Sequence, residues 1–252
     1  MSETPEAPQL TEATEKSAKG ILYLIPTTLG DTAETADVIP VKVNRIINTI
    51  DEYIVENEKH ARHYLKKIGI EKPIQEIILH PLNRHTPLSD ISGYLNAIHA
   101  GKNVGIISEA GCPGVADPGS EVVRIAHANN ITVVPLVGPS SILLAIMASG
   151  FNGQSFAFNG YLPKERSERV KRIKELEKLA LQKDQTQLFI ETPYRNMHVL
   201  EDIISSCDNK TKLCIACDLT LSTEFVKTKT IYDWKWQLPE IAKRPTIFLI
   251  YK

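Results

Sequence analysis

From residue 20 onward the chain alternates between short, continuous apolar runs and longer segments with helical spacing. Ile21–Ile25 reads Ile-Leu-Tyr-Leu-Ile and stops at Pro26-Thr27-Thr28-Leu29-Gly30-Asp31. A run apolar on both faces and ended by turn residues predicts a buried parallel strand. The same logic predicts strands over 51–56, 74–80, 104–108 and 131–136, and helices over 41–50, 58–68, 87–100 and 121–129. Ser89 and Asp90 are the candidate caps of the helix over 87–100. Strands alternating with helices predict an α/β fold on a parallel sheet. After residue 137 an apolar helix is expected over 140–149, strands over 155–159, 187–191, 212–217 and 245–251, and helices over 166–182 and 195–205. The wider strand spacing in this half predicts a mixed sheet. A boundary at 137/138 divides the ordered chain into an N-terminal lobe, 20–137, and a C-terminal lobe, 138–252. Residues 1–19 carry Glu3, Glu6, Glu12 and Glu15 against Lys16 and Lys19, with almost no large apolar groups, which predicts a disordered tail.

Composition removes several classes. In 252 residues, 42% are hydrophobic and 23% charged, ordinary proportions for a globular protein rather than a fibrous or wholly disordered one. Lys+Arg is 29 and Asp+Glu is 30, a net charge of −1. Any nucleic-acid site must therefore be a local patch. Two such patches exist. One is the helix carrying Lys59, His60, Arg62, His63, Lys66 and Lys67. The other is 164–183, with more Lys and Arg than Asp and Glu. The second reads equally as a solvated helix face with paired charges. The longest apolar runs fall short of the roughly 20 residues a membrane span requires. The polar start of the chain has no signal-peptide core, so the expected compartment is the cytoplasm.

Three loops at predicted strand ends are the places for chemistry. Ser108-Glu109-Ala110-Gly111-Cys112-Pro113-Gly114-Val115-Ala116-Asp117-Pro118-Gly119 follows one strand and precedes a helix. Glycines there let main chain approach a ligand closely or adopt positive φ; the alternative is a rigid structural connection. The loop has neither the G-x-G-x-x-G pattern nor a P-loop. Gly138-Pro139-Ser140-Ser141 opens the apolar helix, with Pro139 expected at or near its first residue and Ser140 as cap. Phe189-Ile190-Glu191-Thr192-Pro193-Tyr194-Arg195 ends another strand; Glu191 either recognises a donor group or favours the helix start. Cys214-Ile215-Ala216-Cys217, with Cys207 nearby, invites a zinc or redox reading, but zinc calls for a fourth ligand, and alternate facing along a strand suits core packing better.

Taken together, these loops resemble the tetrapyrrole methylase superfamily of S-adenosylmethionine (SAM) methyltransferases. Within it, they are most similar to the branch that methylates a cytidine ribose 2′-oxygen of small-subunit ribosomal RNA. The resemblance also rests on Leu22 to Asp31, on Val55-Glu56-Asn57-Glu58-Lys59-His60-Ala61-Arg62, on Gly160-Tyr161-Leu162-Pro163-Lys164 and on Ala216-Cys217-Asp218-Leu219-Thr220, in the family's order. It implies two α/β lobes with SAM in the cleft between them, and a homodimer. It places the donor site on Pro26, Leu29, Ala110, Gly111, Cys112, Val115, Ser140, Ser141, Glu191 and Ala216. The partner it implies is rRNA or the small ribosomal subunit, with no membrane and no metal. Three departures bear on the acceptor. The family's AEDTR is here Val55-Glu56-Asn57-Glu58-Lys59, 31–44 does not match the family's segment, and Lys252 falls before that branch's C-terminal extension. Lys lacks the two-pronged recognition that Arg offers. Methylation of a tetrapyrrole-like small molecule and non-catalytic SAM binding remain alternatives. Deprotonating a hydroxyl calls for a base. Glu56, in the family's acidic position, is the leading candidate and Asp117 the second, although an Asp before Pro commonly fixes a turn.

Overall fold

The computed structural model describes residues 19–83 and 86–252; except for Lys19, the expected disordered tail lies outside the described residues. The first half forms β1 (Ile21–Ile25), α1 (Thr35–Val38), α2 (Val41–Ile47), β2 (Glu52–Val55), α3 (Glu58–Lys67), β3 (Ile78–Pro81), α4 (Leu88–Gly93), α5 (Asn96–His99), β4 (Val104–Ile107), α6 (Gly119–Ala128) and β5 (Thr132–Pro135). Their strands make one sheet in the order β3-β2-β4-β1-β5, parallel throughout. Both of its faces are covered. Ile25, Tyr53, Val55 and Ile107 pack under α2 and α3, and Leu22, Ile54, Val104 and Ile106 pack under α4, α5 and α6. This is why the strands read as unbroken apolar runs.

The second half forms α7 (Ser141–Ser149), β6 (Phe156–Tyr161), α8 (Arg166–Lys183), β7 (Thr186–Ile190), α9 (Asn196–Ser206), β8 (Lys212–Cys217), β9 (Phe225–Thr230), α10 (Ile231–Trp234) and β10 (Thr246–Tyr251). Its sheet has the order β6-β7-β10-β8-β9 and is mixed as expected: β6 and β7 run parallel, and the other pairs are antiparallel. Helices α8, α9 and α10 cover one face and α7 the other. Cys214 points into the α7 side and Cys217 into the α8–α9 side, so the two thiols sit in different halves of the core.

Several expectations are corrected. The helix over 87–100 is two short helices, α4 and α5. Tyr94, at the break, stacks on His80 at 4.8 Å and donates from its hydroxyl to the Pro81 carbonyl, which holds the chain against β3. Neither Ser89 nor Asp90 caps α4; the Ser89 hydroxyl donates to the Asp90 carboxylate. The strand expected over 74–80 opens with a 3₁₀ turn, Ile74–Glu76, because Pro73 precedes it with φ −57°. Pro139 precedes the α7 cap rather than occupying the first helical residue; Ser140 is the cap, its hydroxyl accepting from Leu143 N at 3.5 Å. Among the described residues no helix is long and apolar enough to cross a membrane.

Candidate active site

In the first sheet, β2 leads through α3 to the β3 edge, whereas β4 leads through α6 to the opposite edge, past β1. The two helices leave on opposite faces. The crevice of an open α/β sheet lies at such a switch, beyond the carboxyl ends of the diverging strands. Glu56 follows β2 and Ser108–Glu109 follows β4 at that point. The second sheet faces the same space with the ends of β6, β7 and β8 and, because β10 is antiparallel to β7 and β8, with the start of β10. Between them lies a cleft of about 950 Å³.

Main chain and hydrogen bonds hold the loops in place. The Gly111 carbonyl accepts from Thr27 N at 2.9 Å and from the Ser108 hydroxyl at 2.6 Å, tying the turn after β1 to the loop after β4. Gly111 has φ +75°, and a Cβ there would stand 3.1 Å from Leu29 Cδ2 and 3.2 Å from the Pro139 carbonyl. Both conditions select glycine. The Cys112 thiol points at that same carbonyl, 3.5 Å away, and burial raises its pKa, with help from the Asp117 charge. Gly138 touches Pro26 so closely that a Cβ would come within 2.2 Å of the proline ring. Asp117 Oδ1 accepts from Gly114 N at 2.6 Å and Gly119 N at 2.8 Å, closing the loop onto the start of α6. Burial raises the Asp117 pKa, and those two N–H bonds partly oppose the shift. This is the turn-fixing arrangement rather than that of a base.

Of the residues singled out from sequence, Leu29, Glu56, Ala110, Gly111, Cys112, Val115, Ser140, Ser141, Glu191 and Ala216 all line the cleft. Pro26 stands behind its wall, packed on Gly138, with its carbonyl accepting from the buried Tyr64 hydroxyl at 2.7 Å. Glu191 is buried. Its Oε1 accepts from Thr192 N at 2.7 Å, and its Oε2 lies 2.9 Å from Arg195 Nη2 without an aligned hydrogen bond. Sequence reasoning passed over Phe158, Tyr161, Asp218, Leu221, Thr246 and Ile247, which complete the wall. Asp218 lay inside a quoted motif. Its Oδ2 accepts from Arg244 Nε and the Thr223 hydroxyl, each at 2.7 Å, and its backbone is left-handed at φ +49°. That conformation is uncommon outside glycine and signals a constrained loop. Tyr161 also lay inside a quoted motif, and it is a wall residue because β6 ends at the cleft.

The cleft suits an adenosyl ligand. Ala216, Ile190, Ile247 and Phe158 give it apolar surface, and Gly111 and Gly114 offer main chain without Cβ. The N-terminal turn of α7 brings N–H groups that its helix does not use. Glu191 Oε2 is a buried acceptor lacking an aligned donor.

The sequence from residue 22 to 234 matches the family described as Tetrapyrrole (Corrin/Porphyrin) Methylases. The chain belongs to this family of methylases. Among its relatives is the ribosomal RNA small subunit methyltransferase I of Synechocystis sp., 30% identical over 201 residues, 80% of this chain and 67% of that protein. Among solved structures, the methyltransferase CobJ superposes with a TM-score of 0.61 at 19% identity, covering 92% of this chain and 94% of its own. Uroporphyrin-III C-methyltransferase from Thermus thermophilus, complexed with S-adenosylhomocysteine, gives a TM-score of 0.53 at 13% identity, covering 92% and 98%. These two likenesses concern the fold.

Proposed function

We propose that the protein methylates small-subunit ribosomal RNA in the cytoplasm, with a cytidine ribose 2′-oxygen as acceptor. SAM is the methyl donor. The observation that carries this reading is the cleft itself, whose walls combine main chain and apolar side chains with carboxylates that mostly hold the loops. The division into lobes 20–137 and 138–252 follows from it, each contributing one wall. On this reading Leu29, Ala110, Gly111, Cys112, Val115, Ser140, Ser141, Glu191 and Ala216 hold the donor, and Pro26 supports them from behind. The bound donor supplies an electrophilic methyl group on a sulfonium. The chain's own contribution is alignment: the loops after β1 and β4 are tied to each other through the Gly111 carbonyl, so their relative positions are fixed before any ligand arrives. Glu56 lies on the wall where the sheet opens, placed to accept a hydrogen bond from the acceptor hydroxyl and orient it.

The likeness to the Synechocystis enzyme supports the rRNA assignment. So do exposed cations beside the crevice. Arg62 donates to the Ile74 carbonyl and Lys67 to that of Asp31, but Lys59, His63 and Lys66 on α3 point to solvent. For 164–183, Arg169 is buried in an ion pair, Arg172 is turned toward Asn159 and Glu175, and the exposed Arg166 is paired with Asp202, so Lys164, Lys171, Lys174, Lys178 and Lys183 carry its remaining exposed positive charge. Exposed Val137, Leu143 and Met147, the last 78% accessible, support the proposed homodimer as an apolar patch for a second copy. The test is transfer of tritiated methyl from SAM into small subunits purified from a strain lacking the gene. Label must appear in the 16S-type rRNA and survive as a 2′-O-methylcytidine after nuclease digestion. Label confined to small-molecule extracts refutes the rRNA assignment, and donor binding without transfer to either refutes catalysis.

A further inference from the structure

The two diverging strands of the first sheet are joined at their carboxyl ends by one side-chain contact. His60, in the first turn of α3, places Nδ1 2.5 Å from Oε2 of Glu109, the residue that follows Ser108 after β4. The contact spans 49 residues of sequence and sets His60 just outside the cleft wall, against Glu109, which lines it together with Glu56. The local fold presents the ring there. Asn57 caps α3, its side chain accepting from Lys59 N at 2.9 Å and His60 N at 3.2 Å, so the backbone that carries His60 is fixed. The His60 side chain is 64% exposed, and among the described residues its Nε2 makes no hydrogen bond.

We propose that His60 is the general base of the methyl transfer and that Glu109 is its positioning residue. This rests on the rRNA reading above. A carboxylate on one ring nitrogen fixes the tautomer with the proton on Nδ1, leaves Nε2 as an acceptor, and stabilises the ring once it is charged. The Nε2 side of His60 is open to solvent beside the cleft, so a proton taken there can pass on to water. Glu56, on the cleft wall, orients the hydroxyl. As the acceptor oxygen bonds to the methyl carbon, the carbon–sulfur bond breaks and its electron pair stays on sulfur, leaving a neutral thioether. The hydroxyl proton goes to His60 Nε2 and then to water. Among the described residues, the charged and titratable groups on the two segments that meet at the ring are Glu56, Glu58, Lys59, Arg62 and His63 on its own, and Glu109 and Asp117 on the loop after β4.

The experiment measures kcat and KM against pH with the small ribosomal subunit, for the unaltered enzyme and for His60→Gln, His60→Ala, Glu109→Gln and Glu56→Gln. His60 acts only when neutral, so turnover of the unaltered enzyme rises with pH to a plateau. In His60→Gln, kcat falls about 10²–10⁴-fold, KM and SAM binding stay near their original values, and the rise is lost. Added imidazole restores part of the turnover of His60→Ala. Glu109→Gln lowers kcat but keeps a displaced rise, and Glu56→Gln keeps the rise in place. Should His60→Gln keep its turnover, or should the rise vanish in Glu56→Gln and persist in His60→Gln, the assignment of the base is wrong while the rRNA reading stands. Absence of any rRNA methylation by the unaltered enzyme overturns both.

Discussion

Asp202 on α9 offers a measurement in which burial alone decides the outcome. Its carboxylate is 3% exposed and takes two arginines from α8. Arg169, 7% exposed, donates from Nε to Oδ2 at 2.8 Å, and its Nη1 donates to the Lys164 carbonyl at 2.6 Å. Arg166 donates to Oδ1 at the same 2.8 Å but is 75% exposed. Replacing Asp202 by Ala leaves the Arg169 guanidinium buried with carbonyls and no counter-charge. Breaking one side of a buried pair costs about 3–5 kcal/mol. At about 2–4 °C per kcal/mol for a chain of this size, calorimetry should record a Tm lower by roughly 6–20 °C. Arg166→Ala removes an equally short contact held in water, where screening and side-chain freedom leave little net gain. Its Tm should barely move. The double replacement Asp202→Leu with Arg169→Met removes both charges and should recover most of the loss. If Asp202→Ala melts no lower than Arg166→Ala, burial is not what sets the strength of this pair.

Three further outcomes are expected. Gly138→Ala drives a Cβ into the Pro26 ring, costs about 1–3 kcal/mol by overpacking and weakens S-adenosylhomocysteine binding in calorimetry, whereas Gly153→Ala, with nothing within 4 Å, changes neither. A maleimide labels Cys112 before the other thiols, faster as pH rises because burial holds its pKa up. Cys207, raised by burial to about 12, and Cys214, raised to about 11, react only on unfolding, and S-adenosylhomocysteine slows the Cys112 reaction; equal rates with and without it would place the ligand elsewhere. Asp117 has its folded pKa raised, so the folded state holds the proton more tightly than the unfolded one and stability falls as pH rises from the ordinary carboxylate range through the raised value. Asp117→Asn should lack that fall in melts taken across the acid range.

What could be read from sequence follows from which physical signal each element carries. The strands of the first sheet are buried on both faces, so Ile21–Ile25 and Val104–Ile107 stand out as apolar runs. Helix α3 was legible from its helical spacing, and the structure adds the Asn57 cap that fixes its start. Strand β9, Phe225–Thr230, escaped notice because it is a half-exposed edge whose Phe-Val-Lys-Thr-Lys-Thr has little apolar content. The split of α4 from α5 depends on Tyr94 meeting His80 and Pro81 across a tertiary contact, which local spacing does not contain. The wall loops were legible as glycine and proline clusters at strand ends. Thr246 and Ile247 were not, since their presence in the wall depends on how the second sheet is oriented, a long-range property; Tyr161 sat in a quoted motif without being marked as a wall residue. His60 read as one cation among several on a basic helix until the fold set it against Glu109.

The carboxylates of the cleft wall divide into two kinds, and the division bears on turnover. Glu191 is held by Thr192 and Arg195, Asp218 by Arg244 and Thr223, and Asp117 by two backbone N–H groups. Each of these carboxylates is tied to its own loop, Glu191 through Oε1 and the Arg195 charge with Oε2 left over as an acceptor, so this part of the wall presents little uncompensated negative charge. On the proposed reading this matters because the donor carries a sulfonium charge that disappears on transfer. A wall of free carboxylates would bind that charge most tightly in the ground state and lose the interaction as the reaction proceeded, raising the barrier rather than lowering it. Neutralised carboxylates avoid this penalty, and they leave affinity to main chain and apolar contacts that the donor and its thioether product share. The exposed acids at the switch point, Glu56 and Glu109, lie where β2 and β4 diverge, the end at which a positive charge appears when the acceptor gives up its proton. A carboxylate there gains interaction as His60 becomes charged, so at this end of the cleft negative charge favours the transition state.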